Sequence, residues 1–406
     1  MRNPYSYPLL FFFLAAALGL FLRWQFIDSI PGIRYAWFLH SHSHVMFLGW
    51  VFNVLYLSFT ESHLPEKDQS ACLKLFTALQ VLVVAMMISF PLQGYGMYSI
   101  LFSTLHTLAV MVFIVIVFTR RGNRITLSLW FGRVAWIFFF ISTAGPFSLG
   151  YLMANGLGDT VWYNFSIYYY LHFQYNGFFL FGILSLFFEL LERKNIAINA
   201  KRAKKFGVLM AIACVPAYAL SLLFAKPGLF FNGLGAAAAI LQLFALILLL
   251  RELRSIRSVM VLQFNPTVNR ILLLVIIALV LKSFLQLFSA HPFIAQLAYE
   301  LRPVVIAYLH LVIVGIITFF LLAWYMDRRL VSQPLSGWAF SLLIAGFSGS
   351  ELCLVIMPWW SRIIGEGISS APAIFAFSVL MFTGAFFFYL AFLLRNKRLD
   401  SPVNSN

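Results

Sequence analysis

The segment 35–59, YAWFLHSHSHVMFLGWVFNVLYLSF, combines membrane-spanning length with three histidines, His40, His42 and His44. It contains no Asp, Glu, Lys or Arg, and a helix needs roughly 20 apolar residues to cross a hydrocarbon core of about 30 Å. An imidazole inside a bilayer costs free energy unless it is paired, hydrated or bound to metal. Because imidazole is also the commonest protein ligand for metals, these histidines are candidates for a functional site.

The composition of the whole chain extends this interpretation to all 406 residues. Hydrophobic residues make up 62% and charged residues 10%, and the mean hydropathy is +0.91. These values exclude an ordinary soluble domain and predict an all-α polytopic protein in the lipid bilayer, with 1–406 as one integral membrane domain. The twelve apolar runs predicted to span are 8–24, 35–59, 71–91, 97–119, 126–153, 161–190, 206–225, 229–250, 268–290, 303–326, 336–359 and 371–394.

The net charge of +15 is distributed by side of the membrane, so we predict no nucleic-acid partner. Cations follow the even-numbered predicted helices, whereas most of the opposite loops are short and nearly uncharged. The positive-inside rule therefore predicts a bacterial-type inner (plasma) membrane protein with both termini in the cytoplasm. The cations are Arg120, Arg121, Arg124, Arg193, Lys194, Lys201, Arg202, Lys204, Lys205, Arg251, Arg254, Arg257, Arg328, Arg329, Arg395, Lys397 and Arg398.

Further histidines lie on other even-numbered helices, which all run inward in this topology. His42, His106, His172 and His310 lie about seven to eleven residues into their predicted helices. At a rise of 1.5 Å per residue, that depth is roughly 10–17 Å. We therefore expect all four in one layer between the outer surface and the midplane, where side chains can converge on one site.

Helices 2, 6 and 10 also show a weak internal repeat, which predicts repeats over 1–125, 126–258 and 259–406 and three four-helix arcs around a pseudo-threefold axis. Two registers describe it, and the sequence leaves both open. One is aromatic-Leu-His, at Phe38–His40, Tyr170–His172 and Tyr308–His310. The other is His-x4-Gly, at His44–Gly49, His172–Gly177 and His310–Gly315.

Packing is the competing interpretation of these histidines. A single histidine within a helix, such as His106, is more often a hydrogen-bonded core residue than a metal ligand. His40 and His44 are four residues apart and share a helix face, whereas His42 points about 160° away. At most two of the three therefore face a common interior site.

Twelve helices with both termini inside, and histidines on helices 2, 6 and 10, resemble subunit I of the haem-copper oxidase and nitric oxide reductase superfamily. The segment His42-Ser-His44-Val-Met-Phe-Leu is similar to its helix 2, where His-x-x-Val-Met carries a ligand of the low-spin haem. The resemblance implies a b-type haem held by His42 or His44 and by His310. It also implies a copper-ligand position at His172; His40 and His106 are further candidate ligands for copper or another metal.

The chain departs from that family at the binuclear centre. Helix 10 reads Tyr308-Leu309-His310 where the family has His-x-His, and predicted helix 7, 206–225, contains no histidine. The resemblance thus implies a degenerate metal centre. It implies an activity in electron transfer, or in NO- or O2-related redox chemistry or sensing. The implied partners are other redox subunits, or a cytochrome or quinol donor. Whether the chain is itself an oxidoreductase stays open. The alternative is a non-redox transporter or structural membrane protein whose histidines serve packing.

Two ionisable residues fall inside predicted outward-running helices, Lys282 on helix 9 and Glu351 on helix 11. A buried charge requires a partner or water. The two either pair with each other or serve the site, with Glu351 as a proton relay and Lys282 beside a haem propionate or another anion. Tyr175 lies three residues after His172 on the same helix face, where it either hydrogen-bonds near the site or packs in the core.

The missing ligands predict a negative result. A copper ion held by three imidazoles beside a high-spin haem needs histidines that helix 7 lacks, and losing ligands costs metal affinity. We expect no appreciable oxidation of cytochrome c or quinol by oxygen when the purified chain is assayed with an oxygen electrode. Robust cyanide-sensitive oxygen consumption by the chain alone would contradict this prediction.

Overall fold

The computed structural model describes residues 3–120 and 126–400, so Arg121 and Arg124 lie outside the described residues, as do the side chains of Lys397 and Arg398. The fold is all-α, as the sequence predicts. The described residues form twelve helices long and apolar enough to cross a membrane. They are α1 Ser6–Trp24, α2 Tyr35–His63, α3 Glu66–Gln93, α4 Met97–Thr119, α5 Leu127–Ala154, α6 Val161–Arg193, α7 Ala200–Ala225, α8 Leu229–Gln263, α9 Pro266–Phe288, α10 Arg302–Asp327, α11 Gln333–Ile363 and α12 Ala371–Asp400.

The number of spans was predicted correctly, but several helices extend beyond their apolar runs. The predicted eighth run ends at residue 250, whereas α8 continues to Gln263 and carries Arg251, Arg254 and Arg257 on its last turns. These cations therefore lie on a helix and not in a loop. The start of α7 is set by Asn199, whose side chain accepts a hydrogen bond from the Arg202 backbone amide at 3.0 Å. Hydropathy marks only the apolar part of a helix, whereas caps set its ends.

Two compact units divide the described chain. The first contains the residues up to Phe113 and from Leu321 onwards, and the second runs from Ile114 to Phe320. In the first unit, α11 packs along α12, and α1 packs against both α2 and α12. In the second unit, α5 packs against α6, α7 against α8, and α9 against the middle of α10.

The three helices that carry the repeated histidines are the most buried spans. Within the apolar window of each span, 83% of α2, 89% of α6 and 61% of α10 is buried, against at most 44% of any other helix. Large side chains on these helices, including Trp50, Phe178 and Trp324, are less than 2% exposed. Each of these three helices is therefore covered by protein over most of its apolar window.

These three helices also share a local distortion. A π-helical segment follows His44 at Val45–Phe52, His172 at Phe173–Phe179, and His310 at Leu311–Thr318. Such segments are rare and frequently mark functional sites. The distortion begins at equivalent positions of the His-x4-Gly pattern, so the local structure favours that register over aromatic-Leu-His.

The glycines of this pattern allow close packing inside each unit. A Cβ atom on Gly49 would lie 2.7 Å from Phe11 Cγ in the first unit, and one on Gly177 would lie 2.6 Å from Phe138 Cγ in the second. Because real Cβ atoms do not approach other atoms so closely, any side chain here would displace the phenylalanine. Each glycine thus lets an aromatic ring on the preceding helix lie against the π-helical turn.

Adding one methyl group at this contact should destabilise the protein. We expect Gly177→Ala to lower the free energy of unfolding by about 1–3 kcal/mol, because Phe138 must move in a packed core. Gly233→Ala is the matched control, because a Cβ there meets nothing within 4 Å. Thermal unfolding in detergent should show a lower midpoint for Gly177→Ala and an unchanged or raised midpoint for Gly233→Ala. Equal midpoints would contradict the packing role of Gly177.

Candidate functional site

His42 lies against α1 with a defined ring orientation. Its Nδ1–H donates to the Ala15 carbonyl oxygen at 2.9 Å. Gly19, one helical turn further along α1, leaves room for the ring, since a Cβ there would lie 3.0 Å from His42 Cε1. In the neutral ring, protonation at Nδ1 puts the lone pair on Nε2. Metal-binding histidines almost always have their other ring nitrogen fixed by such a hydrogen bond.

His40 and His44 point to other neighbours, as their spacing predicts. The His44 ring packs on Phe90 with 4.3 Å between centroids, and the His40 ring packs on Tyr95 at 4.5 Å. His44 Nδ1–H donates to the His40 carbonyl oxygen at 2.8 Å, which again places the lone pair of a neutral ring on Nε2. The cluster is therefore divided between two faces of α2, with His42 on one face and His40 and His44 on the other.

His106 lies in the same unit and is 1% exposed. Its ring meets Phe52 edge-on at 5.2 Å, and it interacts electrostatically with His44. Its Nε2 has no hydrogen-bond partner among the residues that the structure describes. An unsatisfied buried nitrogen costs free energy, so the simplest packing interpretation leaves a polar atom of His106 unexplained.

His172 shows the opposite arrangement, with both ring nitrogens bonded to protein. Its Nε2–H donates to the Cys214 carbonyl oxygen of α7 at 2.8 Å, and its Nδ1 accepts from Asn176 Nδ2 at 3.3 Å. The ring is 2% exposed. A metal ion at His172 would have to displace one of these two bonds. In this geometry the residue links α6 to α7, which fits the packing interpretation.

A buried ammonium group lies in the same unit. Lys282 of α9 is 2% exposed, and its Nζ donates to Gln286 Oε1 at 2.6 Å, one turn further along the helix. Lys282 also interacts electrostatically with His172 and Cys214. The amide oxygen stabilises the cation without neutralising it, so the interior of this unit carries a buried lysine held by neutral groups.

The remaining candidate residues predicted from the sequence, Glu351, Tyr175 and His310, are distributed over the two units. Glu351 lies in the first unit, where it interacts electrostatically with Arg23. The rings of Tyr175 and His172 are inclined to each other, with 6.5 Å between their centroids. His310 is partly buried and is the last residue before the π-helical segment of α10.

Four buried amides were missed in the sequence analysis, and two of them contact the groups described above. Gln286 lies four residues after Lys282, a spacing that places both on one helix face and is readable from the sequence. Asn176 also lies four residues after His172, but it falls within the π-helical segment, where regular α-helical spacing does not apply. The Oδ1 atom of Asn176 is buried without a partner in the described structure. In the first unit, Asn53 and Gln80 form a buried pair of amides, in which Asn53 Nδ2 donates to Gln80 Oε1 at 2.6 Å.

Neither a protein-family model nor a curated protein matches this chain. Among the described residues, no three His, Cys, Asp or Glu side chains group closely enough to hold a metal ion. A bis-histidine haem is a different kind of site, because it needs only two imidazoles.

Substitutions at Lys282 and Gln286 test whether the Gln286 amide oxygen stabilises the buried lysine. Gln286→Leu leaves a buried ammonium without its acceptor, which should cost about 1–3 kcal/mol of unfolding free energy or more. Lys282→Met removes the charge and keeps a similar volume, so it should be neutral or stabilising. Thermal unfolding should therefore rank Gln286→Leu below the wild type, with the double variant partly recovered. A Lys282→Met protein as unstable as Gln286→Leu would show that the ammonium has a further role.

Proposed function

We propose that this chain is a haem-binding membrane protein of the haem-copper oxidase subunit I type, acting in electron transfer or in NO- or O2-related redox chemistry or sensing. Its ligand set is reduced from that of the family. The observation that carries the proposal is the geometry of His42, whose Nδ1–H is fixed by Ala15 and whose ring is accommodated by Gly19. The proposed setting is a bacterial-type inner membrane with cytoplasmic termini, alongside other redox subunits or a cytochrome or quinol donor.

His42 fits the role of an axial ligand better than the other two cluster histidines. A ligand needs an oriented ring with an available lone pair on one nitrogen. The bond to Ala15 fixes the orientation of the His42 ring, and it ties the ring to the neighbouring helix α1. His44 bonds to its own helix and packs between aromatic rings, so its orientation serves a different face. His310 would supply the second imidazole, on the grounds of its sequence position.

The residues of the second unit support a reduced centre. In the related family the helix 6 histidine binds copper with histidines of helix 7. Here His172 instead donates directly to a helix 7 carbonyl oxygen, and a lysine cation lies in the same buried cluster. A second cation brought beside Lys282 would raise the electrostatic cost of the cluster. We therefore assign His172 a positioning role between α6 and α7 and place no copper ion there.

Bound haem would supply a one-electron iron couple inside the bilayer. Ala15 orients the His42 ring, and the packed α2 surrounds it. His42 and His310 would hold the haem iron through one imidazole each, and such a haem would supply electron transfer rather than binding of a gas. Gas chemistry would require one imidazole to leave.

Substitution of single histidines tests the assignment. We expect pyridine haemochrome analysis of the purified full-length chain, expressed with haem supplied, to give about one b-type haem per chain. His42→Ala and His310→Ala should abolish the low-spin absorption spectrum, whereas His172→Ala should retain it. Gly19→Ala should lower haem content without removing a ligand, because the methyl group pushes on the His42 ring.

His291→Ala is the matched control, since His291 caps a short helix at Pro292–Glu300 through a bond from the Phe293 amide. It should leave haem content unchanged. If His44→Ala lost the low-spin spectrum and His42→Ala kept it, the ligand would be His44, on the other face of α2. A folded chain that remains colourless with haem supplied would refute the proposal and favour the transporter alternative.

A further inference from the structure

A cluster of oxidisable rings lies inside the first unit. It consists of Trp50, Tyr325, Tyr5 and Trp324, which we call the aromatic chain. Ring centroids are 5.8 Å apart for Trp50–Tyr325, 6.1 Å for Tyr325–Tyr5, 5.5 Å for Tyr5–Trp324 and 5.5 Å for Trp324–Tyr325. Three of the four side chains are fully buried, and Tyr5 is 6% exposed.

The chemical identity of these rings separates the aromatic chain from ordinary packing. Phenylalanine supplies 46 aromatic residues of the protein, against 17 tyrosines and 10 tryptophans, so most aromatic contacts involve a ring that cannot be oxidised readily. Tyrosine and tryptophan lose one electron far more easily than phenylalanine. Electron transfer also slows exponentially with distance, and rings in contact therefore exchange electrons quickly.

One end of the aromatic chain has a built-in proton acceptor. The Tyr5 hydroxyl donates to Glu61 Oε2 at 2.6 Å, and Glu61 Oε1 accepts from Arg328 at 2.6 Å. Burial and the Glu61 carboxylate raise the pKa of Tyr5 well above its ordinary value, so the phenol stays protonated at neutral pH. A phenol that loses an electron becomes a strong acid, and the carboxylate at hydrogen-bond distance is placed to receive its proton.

The other end reaches into the middle of α2. Trp50 lies eight residues after His42 on the same helix, within the π-helical segment that begins at Val45. At the Tyr5 end, the Glu61 side chain is 41% exposed. The aromatic chain therefore connects the interior beside the histidine helix with a partly exposed carboxylate.

We propose that Trp50, Tyr325, Trp324 and Tyr5 carry single electrons between the buried part of α2 and the Tyr5–Glu61 pair, and so protect the interior from oxidative damage. A strong one-electron oxidant takes an electron from Trp50 or Tyr325; a bound haem that had reacted with peroxide would be one such oxidant. The oxidised ring then takes an electron from Tyr5, while the Tyr5 phenolic proton moves to the Glu61 carboxylate. The products are a neutral tyrosyl radical and a protonated Glu61.

A soluble thiol or ascorbate-type reductant closes the cycle. It returns one electron to the Tyr5 radical, and the proton returns from Glu61 to the phenolate oxygen. Only the physiological oxidant rests on the proposed haem. The route itself needs the four rings and the carboxylate, so it can be tested with an external oxidant.

The test compares sites of oxidation in the full-length protein in detergent. A photogenerated ruthenium(III) tris-bipyridine complex supplies the oxidant, and peptide mass spectrometry locates the oxidised residues. We expect Tyr5 to be modified despite its burial. Tyr5→Phe should raise oxidation at Trp324 and Trp50 several-fold, because the last donor has been removed. Glu61→Gln keeps the shape but removes the proton acceptor, and should shift oxidation in the same direction.

Tyr7→Phe is the matched control, because Tyr7 is 44% exposed and its ring meets Phe76. It should leave the oxidation of Trp324 and Trp50 as in the wild type. Thermal unfolding of each variant separates loss of fold from loss of the route. Oxidation that simply follows exposure, or unchanged products in both Tyr5→Phe and Glu61→Gln, would overturn the proposal.

Haem content is measured in the same samples by pyridine haemochrome. The ruthenium experiment on haem-free protein should give the same pattern of oxidised residues. A colourless protein with the expected pattern would therefore refute the haem proposal and keep the electron route. A haem-loaded protein without that pattern would support the haem proposal and refute the electron route.

Discussion

The histidine-to-π-helix junction is the local feature on which the rest of the structure depends. In an apolar medium every backbone polar group must be satisfied inside the protein, and a π-helical turn changes which side chains face which neighbour. The turn begins directly after His44, His172 and His310, in the three most buried spans. Glycine five residues after His44 and His172 then lets an aromatic ring approach the backbone. The same local solution thus recurs in both units.

The two units satisfy their buried polar groups in different ways. In the second unit, both ring nitrogens of His172 are bonded, to Cys214 and Asn176, and Gln286 accepts from Lys282. In the first unit, His42 bonds to Ala15 of the neighbouring helix, and the Nε2 of His106 lacks a partner among the described residues. The bonds of His172 explain its burial as a link between α6 and α7, whereas packing alone does not explain the buried nitrogen of His106.

The sequence was sufficient to predict the fold class, because length and hydropathy alone identify helices in a bilayer. It also singled out α2, α6 and α10 as the buried spans. It was insufficient for side-chain partners. One extra residue in a helical turn rotates all later side chains of that helix by about 100°, so positions after His44 or His172 cannot be phased from a regular helical period. The bond from His172 to Cys214 joins residues far apart in sequence, and no local pattern encodes it. By contrast, Gln286 lies one turn after Lys282 and was readable.

An absorption spectrum of the purified full-length chain, reduced and oxidised, with and without carbon monoxide, tests the central claim most directly. Imidazoles at both axial positions give a low-spin six-coordinate haem, whose reduced spectrum carbon monoxide does not shift. If His42 and His310 hold a haem, the full-length chain should show that spectrum, and His42→Ala should lose it. A folded chain with no haem absorption after expression with haem supplied would contradict the account. A reduced spectrum that shifts fully with carbon monoxide would contradict the bis-histidine assignment.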